Sequence, residues 1–368
     1  MSDDTATPTA SDSDETQLAA LYDRWNEARG KESTVAILAI AGVLLFPWLF
    51  SDAPVISGVL GGYRGLASLI LIWAIFAIGF DLLLGYTGLL SFGHAAFWGG
   101  AAYTAGIFSA RVSGDPILMV LAGTTFAVLF AWILGYLSLR RGGIYFSILT
   151  LAFAQMLFYM AASPLAFLTN GEDGFTDVET DALLGVVDLG AEVVHPAGIL
   201  LGHFEYVFVA TFFVLAVVGG YRILNSPYGI VLDAIRENEQ RAEFVGLNVW
   251  RYKLMAFIIS GAFAGVAGSL FTIHGSYVPL SSLYWTESGE IVIITVLGGA
   301  GSLFGPIFGA ALYLYIANIV SGFPVIGTLW YLILGIIFVG VIWLFPSGIW
   351  GIVDTARDLV SERFGGER

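Results

Sequence analysis

Long apolar runs separated by short polar segments dominate the pattern of residues along this chain. Ten of these runs are candidate transmembrane helices, because a bilayer core of about 30 Å needs about 20 mostly apolar residues in helical form. They cover residues 34–50, 66–86, 89–110, 116–137, 144–162, 204–221, 254–273, 288–300, 302–320 and 325–345. The pattern therefore predicts an all-α, polytopic transmembrane helical bundle of about eight to ten spans.

Glycine-rich strings interrupt this bundle. The string from Gly298 to Pro306 separates the eighth run from the ninth, and a Gly-Pro pair breaks a helix unless neighbours satisfy the freed backbone groups. We therefore expect broken or re-entrant Gly-rich segments. Further glycines crowd residues 85–100. Tight helix packing is the simpler interpretation of such glycines, and unwound segments that line a translocation path are the functional one.

The composition supports a membrane protein and excludes several other classes. Of the 368 residues, 57% are hydrophobic and only 12% are charged, whereas a soluble domain has about 25% charged residues. The chain has no Cys, and its four His form no ligand pattern, so we expect no metal and no cofactor. A formal net charge of -14 argues against a nucleic-acid partner, because phosphate contacts require a basic surface.

The positions of the basic residues predict the orientation in the membrane. With ten spans, every Lys and Arg except Arg64 and Arg111 falls on one side of the bilayer. Short cytoplasmic loops carry the basic excess in membrane proteins. The chain is therefore expected to be a multi-pass protein of the cell (plasma) membrane with both termini in the cytoplasm.

The polar segments divide the chain. Residues 1–33 form an acidic segment expected to be a disordered cytoplasmic tail, residues 34–345 form the membrane domain, and residues 346–368 form a cytoplasmic C-terminal tail. Within the membrane domain, 222–253 is the main cytoplasmic loop. The loop 163–203 has no Lys or Arg but seven acidic residues, so we expect it outside the cell, where its length predicts a small cap.

Residues 222–253 predict an amphipathic helix at the inner membrane surface. Ser226-Pro227 is typical of a helix start, and Gly246 of a helix end. Asn248 is placed to cap the following helix. One stripe is mostly apolar: Val231, Ala234, Ile235, Asn238, Ala242 and Val245. The opposite face is polar, with Glu237 and Arg241 at a favourable i,i+4 spacing. Two interpretations stay open: a helix lying on the bilayer, or a docking helix for a cytoplasmic motor subunit.

Few ionisable residues lie at membrane depth, where such groups are costly and are candidates for function. Asp81 is near the cytoplasmic end of its span, which makes an interfacial position the simpler interpretation. His94 is also consistent with a packed, hydrogen-bonded position that has no role in transport. Glu290 is also consistent with an exposed position at the outer end of its span. With polar neighbours, the candidates for a substrate pathway are Tyr86, Thr87, Ser91, His94 and Glu290.

Three blocks of the sequence resemble one family. They are Asp81-LLLGYTGLLSFGHAAFWGGAAYTAG106, Ala234-IRENEQRAEFVGLNVWRYKLMAFIISGAFAGVAGSL270 and Ile294-TVLGGAGSLFGPIFGA310. In this order they are similar to the LivM-type permeases of ATP-binding cassette importers for branched-chain amino acids. The resemblance implies alternating access, two cytoplasmic ATP-binding subunits, a homologous second permease subunit and an extracellular solute-binding protein that delivers the small-molecule substrate.

The resemblance also implies that the loop 222–253 contains the coupling helix. Gly246 corresponds to the glycine of the importers' Glu-Ala-Ala…Gly loop, whereas Gln240, Arg241 and Ala242 replace its acidic start. The residues expected to couple to the ATPase are Ile235, Arg236, Glu237 and Gly246. The chain itself contains no G-x-x-x-x-G-K-[ST] motif, so ATP hydrolysis is expected in separate subunits and the chain is not expected to be an enzyme.

Two alternatives remain at the level of sequence. Permeases for urea and short amides resemble the same blocks, so the sequence does not distinguish these substrates from branched-chain amino acids. An ion-coupled secondary transporter is the alternative from another class, although such carriers usually place ionisable groups near the midplane. A membrane enzyme is disfavoured because no cluster of nucleophile, base or metal ligands is visible.

Overall fold

The computed structural model describes residues 40, 42–43, 64–140, 143–194, 200–321, 329–344 and 348–351. The expectations for the N-terminal tail, for most of the first predicted span and for most of the C-terminal tail lie outside these residues. The described residues form the helices α1 Arg64–Thr87, α2 His94–Arg111, α3 Pro116–Ser138, α4 Ile144–Ala162, α5 Ala166–Thr169, α6 Phe204–Leu224, α7 Pro227–Glu237, α8 Glu239–Phe244, α9 Val249–Gly275, α10 Trp285–Gly298, α11 Gly305–Ser321 and α12 Trp330–Leu344.

The fold is an all-α polytopic bundle, as predicted. Among the described residues, six helices are long and apolar enough to cross a membrane, namely α1, α3, α4, α6, α9 and the segment that begins at Trp330. The break expected between Gly298 and Pro306 is present, because α10 ends at Gly298 and α11 begins at Gly305. The 14 residues of α10 rise only about 21 Å, which is less than a bilayer core of about 30 Å.

Helix α1 lies at the centre of the bundle. Its apolar window is 94% buried within the chain, against 33% for α3 and 22% for α4. Helices α1, α2 and α3 all pack on α9. Because α3, α4 and α12 carry many exposed apolar side chains, they form the outer surface that faces lipid or another subunit.

Small residues on α9 allow its close approach to two neighbours. A Cβ atom added to Gly268 would lie 2.1 Å from the Trp98 carbonyl oxygen of α2. A Cβ atom at Gly265 would lie 2.6 Å from the Ala127 Cβ atom of α3. The packing interpretation of these glycines is therefore confirmed on α9, since any side chain would push the helices apart.

The two ends of the bundle differ in charge. The basic end, as we call it, contains α7, α8 and the turn between α10 and α11. The acidic end contains the loop 163–203, of which 195–199 are not described. In this loop, β1 (Glu192–Val194) pairs antiparallel with β2 (Leu200–His203). The loop also exchanges backbone hydrogen bonds between Phe175 and Val278, with N···O distances of 2.8 and 2.9 Å.

An aspartate fixes the tip of the acidic loop to the membrane domain. One carboxylate oxygen of Asp115 accepts the Ile117 N–H at 2.9 Å and so caps α3. The other oxygen accepts the Leu184 N–H at 2.8 Å. Leu184 has a φ of 50°, a left-handed conformation that is unusual for a leucine. The tip residues Leu184 and Val186 are thereby held out into solvent, with Val186 82% exposed.

Candidate functional site: the coupling segment and its junction with the membrane domain

The predicted single helix at the basic end is two helices. Helix α7 ends at Glu237, and α8 begins at Glu239. Asn238 between them is extended, with φ -160° and ψ 101°, and its side-chain oxygen accepts the Arg241 N–H at 2.9 Å. The prediction of a continuous helix is therefore wrong at Asn238, because asparagine starts a new helix as its N-cap. Glu237 and Arg241 do not share one helix surface.

The boundaries of the segment follow the sequence signals. Ser226 caps α7 by accepting the Gly229 N–H, and Pro227 occupies the first turn. Gly246 has a φ of 95°, the left-handed conformation expected of the glycine that ends the segment. Asn248 caps α9 through the Arg251 N–H at 3.2 Å. These three predictions are confirmed.

The burial pattern corrects the predicted apolar stripe. Ile235 is 3% exposed and packs with Ala242 and Val249 inside the segment. The Ile235 side chain therefore supports the segment from within and offers no surface to another subunit in this conformation. By contrast, Val245 is 79% exposed and the neighbouring Phe244 is 91% exposed. Two adjacent apolar side chains thus project from the basic end.

Arg236 faces the membrane domain of its own chain. Its guanidinium donates a hydrogen bond to the Gly85 carbonyl oxygen in the last turn of α1. The charge also interacts with Asp233 on α7 and with Asp81 on α1. Partial burial raises the pKa of Asp233, an effect that Arg236 opposes. In this structure the Arg236 guanidinium has a partner within the chain, and its predicted coupling to the ATPase stays a prediction.

Asp81 joins this contact to the glycine turn between α10 and α11. Its side chain is 2% exposed, and its Oδ1 atom accepts the Gly301 N–H at 2.9 Å. A Cβ atom at Gly85 would lie 2.2 Å from the same Oδ1 atom and 2.4 Å from the Gly301 nitrogen. Gly301 has a φ of 87°, and a Cβ atom there would lie 2.9 Å from Arg236 Nη1. The junction therefore has room only for glycine at both positions.

The residues predicted for the substrate pathway separate into two places. Thr87, Ser91 and His94 are buried around the start of α2. The His94 Nε2 atom is 2.8 Å from the Ser260 Oγ atom of α9. The imidazole ring packs edge-on against three aromatic rings, namely Phe80, Phe97 and Phe257. His94 is thus a packed, hydrogen-bonded residue in this conformation.

Glu290 lies toward the opposite end of the bundle from Tyr86 and Ser91. It is half-buried on α10, and its carboxylate lies near the hydroxyl groups of Tyr313 and Tyr331. A groove of about 410 Å³ is lined by apolar residues of α1, α6 and α11 together with Trp350. None of the five predicted pathway residues lines that groove. The structure therefore does not bring the five residues to one cavity among those described.

Sequence reasoning missed Phe244 as an exposed residue and missed Ser260 as the partner of His94. Phe244 carried a usable signal, because it is followed by Val245 in a loop predicted to be cytoplasmic, and adjacent exposed apolar residues can form an interaction surface. The contact between Arg236 and Gly85 had no signal in the sequence. The two residues are 151 positions apart, and no local pattern reports their proximity.

Comparison with known proteins identifies the family. The family model described as "Branched-chain amino acid transport system / permease component" matches residues 62–342. The chain belongs to this family. The resemblance to LivM-type permeases is thereby confirmed, and the chain is a multi-pass membrane permease.

Individual relatives agree with this assignment. The chain is 28% identical over 322 residues to the high-affinity branched-chain amino acid transport system permease protein LivM of Salmonella typhimurium, covering 83% of this chain and 74% of the relative. LivM of Escherichia coli is 29% identical over 293 residues, which cover 76% of this chain and 65% of the relative. A probable permease protein LivH of Methanocaldococcus jannaschii is 31% identical over 169 residues, covering 42% of this chain and 50% of the relative. No solved structure matches the chain.

Proposed function

We propose that this permease moves branched-chain amino acids across the plasma membrane by alternating access, driven by separate ATPase subunits that dock at the basic end. Family membership supports the transport activity, and the sequence has no phosphate-binding loop of its own. The observation that carries the docking proposal is the pair of exposed side chains at Phe244 and Val245. Adjacent apolar side chains exposed in a polar loop mark an interaction surface.

The local structure of the segment supports docking as a rigid body. Ile235, Ala242 and Val249 form a small core beneath the pair. Gly246 reverses the chain directly after Val245, so Phe244 and Val245 stand at a corner of the segment. Glu237 and Glu243 are also exposed on this segment and are our candidates for charged contacts with the ATPase. Such a rim of charge around apolar anchors is typical of protein interfaces.

Truncation of the anchor tests this proposal. Burying a phenylalanine side chain contributes about 1.5–3 kcal/mol, so Phe244→Ala should weaken binding of the ATPase subunits about tenfold to a hundredfold. Val245→Ala should weaken it less. Val186→Ala at the acidic end is the matched control for Val245→Ala, because it makes the same substitution at an equally exposed valine. The measurement is the amount of ATPase subunit that co-purifies with the permease in detergent. Equal recovery from the Phe244→Ala and Val186→Ala variants would refute the docking surface.

Two further partners complete the proposed importer. A solute-binding protein is expected at the acidic end, where the anchored tip of the loop presents Leu184 and Val186 to solvent. A homologous second permease is expected against the apolar outer surface of the bundle. The similarity of this chain to both LivM and LivH proteins supports such a pairing. In this arrangement, both termini lie in the cytoplasm.

The substrate pathway is proposed to include Tyr86, Thr87, Ser91, His94 and Glu290. Thr87, Ser91 and His94 are enclosed in the present conformation, so they would contact substrate only in a second state in which the start of α2 separates from α9. Glu290 is partly accessible already. Uptake of labelled leucine into proteoliposomes that contain the whole importer tests the activity, with urea and acetamide as competitors. Uptake driven by an ion gradient in the absence of ATP would overturn the proposal.

A further inference from the structure

We propose that Arg236 is the positioning residue that transmits motion of the coupling segment to the membrane domain. In this proposal its guanidinium ties α7 to the last turn of α1 and to the glycine turn between α10 and α11. The inference rests on the proposed function, because this contact transmits motion only if an ATPase moves α7. The contact itself does not involve Phe244 or the proposed docking surface.

The end of α1 provides a site for a cation. The last carbonyl groups of a helix have no partner within the helix, and the negative end of the helix dipole favours positive charge. The Leu84 carbonyl oxygen accepts the Gly88 N–H at 3.1 Å. The next carbonyl oxygen, that of Gly85, accepts the hydrogen bond from Arg236. Arg236 therefore occupies a position where its charge interacts favourably with both the carbonyl group and the dipole of α1.

The glycine turn is held by the same turn of α1. Asp81 precedes Gly85 by one helical turn, so both residues lie on one face of the helix. The Asp81 carboxyl group accepts the Gly301 N–H, and the Gly301 backbone lies against the Arg236 guanidinium. Three segments that are distant in sequence thus meet at one point: the end of α7, the end of α1, and the break between α10 and α11. A displacement of α7 reaches both the central helix and the short helix α10 through this junction.

The contacts of Arg236 extend beyond its own helix. Its charge interacts with Asp233 at i−3 on α7. Its guanidinium also reaches the backbone of α1 across the junction. A hydrogen bond from a charged group to a carbonyl is among the stronger single contacts in a protein. This contact is therefore a charge-assisted link between the coupling segment and the central helix α1.

The test uses the complete importer, with both permeases, the ATPase subunits and the binding protein reconstituted in proteoliposomes. Arg236→Gln removes the charge, and Arg241→Gln on α8 is the matched control in the same segment. Arg236→Gln is expected to retain ATPase subunits and ATP hydrolysis within about twofold, while substrate transported per ATP falls about tenfold or more. Arg236→Lys, which keeps the charge, should recover part of the substrate transported per ATP. Arg241→Gln should change the ratio by less than about twofold.

A second measurement follows the junction directly. Because the chain contains no Cys, Ala300→Cys places a single thiol at an exposed position of the glycine turn. Its rate of reaction with a maleimide should change on ATP binding in the parent importer and stay constant when Arg236→Gln is added. An unchanged transport ratio, or an unchanged response of the thiol, would overturn the inference. Loss of ATPase binding in Arg236→Gln would also overturn it, by making Arg236 a docking residue. Failure of the parent permease to bind ATPase at all would instead refute the proposed function on which the inference rests.

Discussion

Replacing Gly268 by Ala tests how much of the stability of the core depends on close packing of α9 against α2. The added Cβ atom would lie 2.1 Å from the Trp98 carbonyl oxygen. An ordinary contact is about 3.5 Å, so the two helices must separate by about 1 Å or more. Trp98 is 1% exposed and stacks on Phe76 with ring centroids 4.9 Å apart, so the separation would also loosen the aromatic cluster at the centre of the bundle.

The magnitude follows from two opposing contributions. Overpacking a well-packed core costs about 1–3 kcal/mol, and the better helix propensity of alanine recovers up to about 1 kcal/mol. The apparent melting temperature of the Gly268→Ala variant, followed by tryptophan fluorescence in detergent, should therefore fall by several degrees. Gly335→Ala on α12 is the control, because nothing lies within 4 Å of a Cβ atom at that position. A Gly268→Ala variant as stable as Gly335→Ala would refute the packing argument.

Two other predictions concern the core and the orientation. Ser260→Ala removes the hydrogen-bond partner of the His94 Nε2 atom, which should lower the free energy of unfolding by about 1–3 kcal/mol. Ser269 donates its hydroxyl to the Gly265 carbonyl oxygen of the same helix, so Ser269→Ala should destabilise the protein less in the same melting assay. Single cysteines in this Cys-free chain test the orientation. Glu243→Cys should react with an impermeant maleimide only from the cytoplasmic side, and Val186→Cys only from outside, and the reverse pattern would contradict the proposed topology.

Much of the fold could be predicted because lipid imposes a simple rule on the sequence. The predicted run 66–86 corresponds to α1 within two residues at its start and one at its end, and 144–162 coincides with α4. The start of α2 was less predictable. Residues 89–93 are apolar enough to extend the run, but Gly88 has a φ of 71° and the chain does not become helical until His94. Hydropathy reports which residues avoid water and does not report where a glycine turn holds them.

The coupling segment shows why the site was only partly predictable. The apolar period continues across Asn238, since Ile235 and Ala242 are both buried in one small core, so periodicity gave no sign of the break. Val245 fits the same stripe but projects outward, because its exposure depends on where α8 lies relative to α9. The junction is less predictable still. Asp81 and Gly301 are 220 positions apart, and only the packing of α1 against α10 and α11 brings them together.

The enclosure of α1 has a consequence for biogenesis. Helix α1 enters the bilayer early in synthesis, but α9, which covers much of it, is made much later. Asp81 lacks Arg236 until the segment after α6 has been made, and it lacks Gly301 until α10 has been made; an unpaired carboxyl group is costly in lipid. We therefore expect α1 to stay near the headgroups, or to be shielded by the insertion machinery, until the second half of the chain is made. Assembly of the core is in this sense a late event, and chains truncated before Val249 should be cleared by quality-control proteolysis.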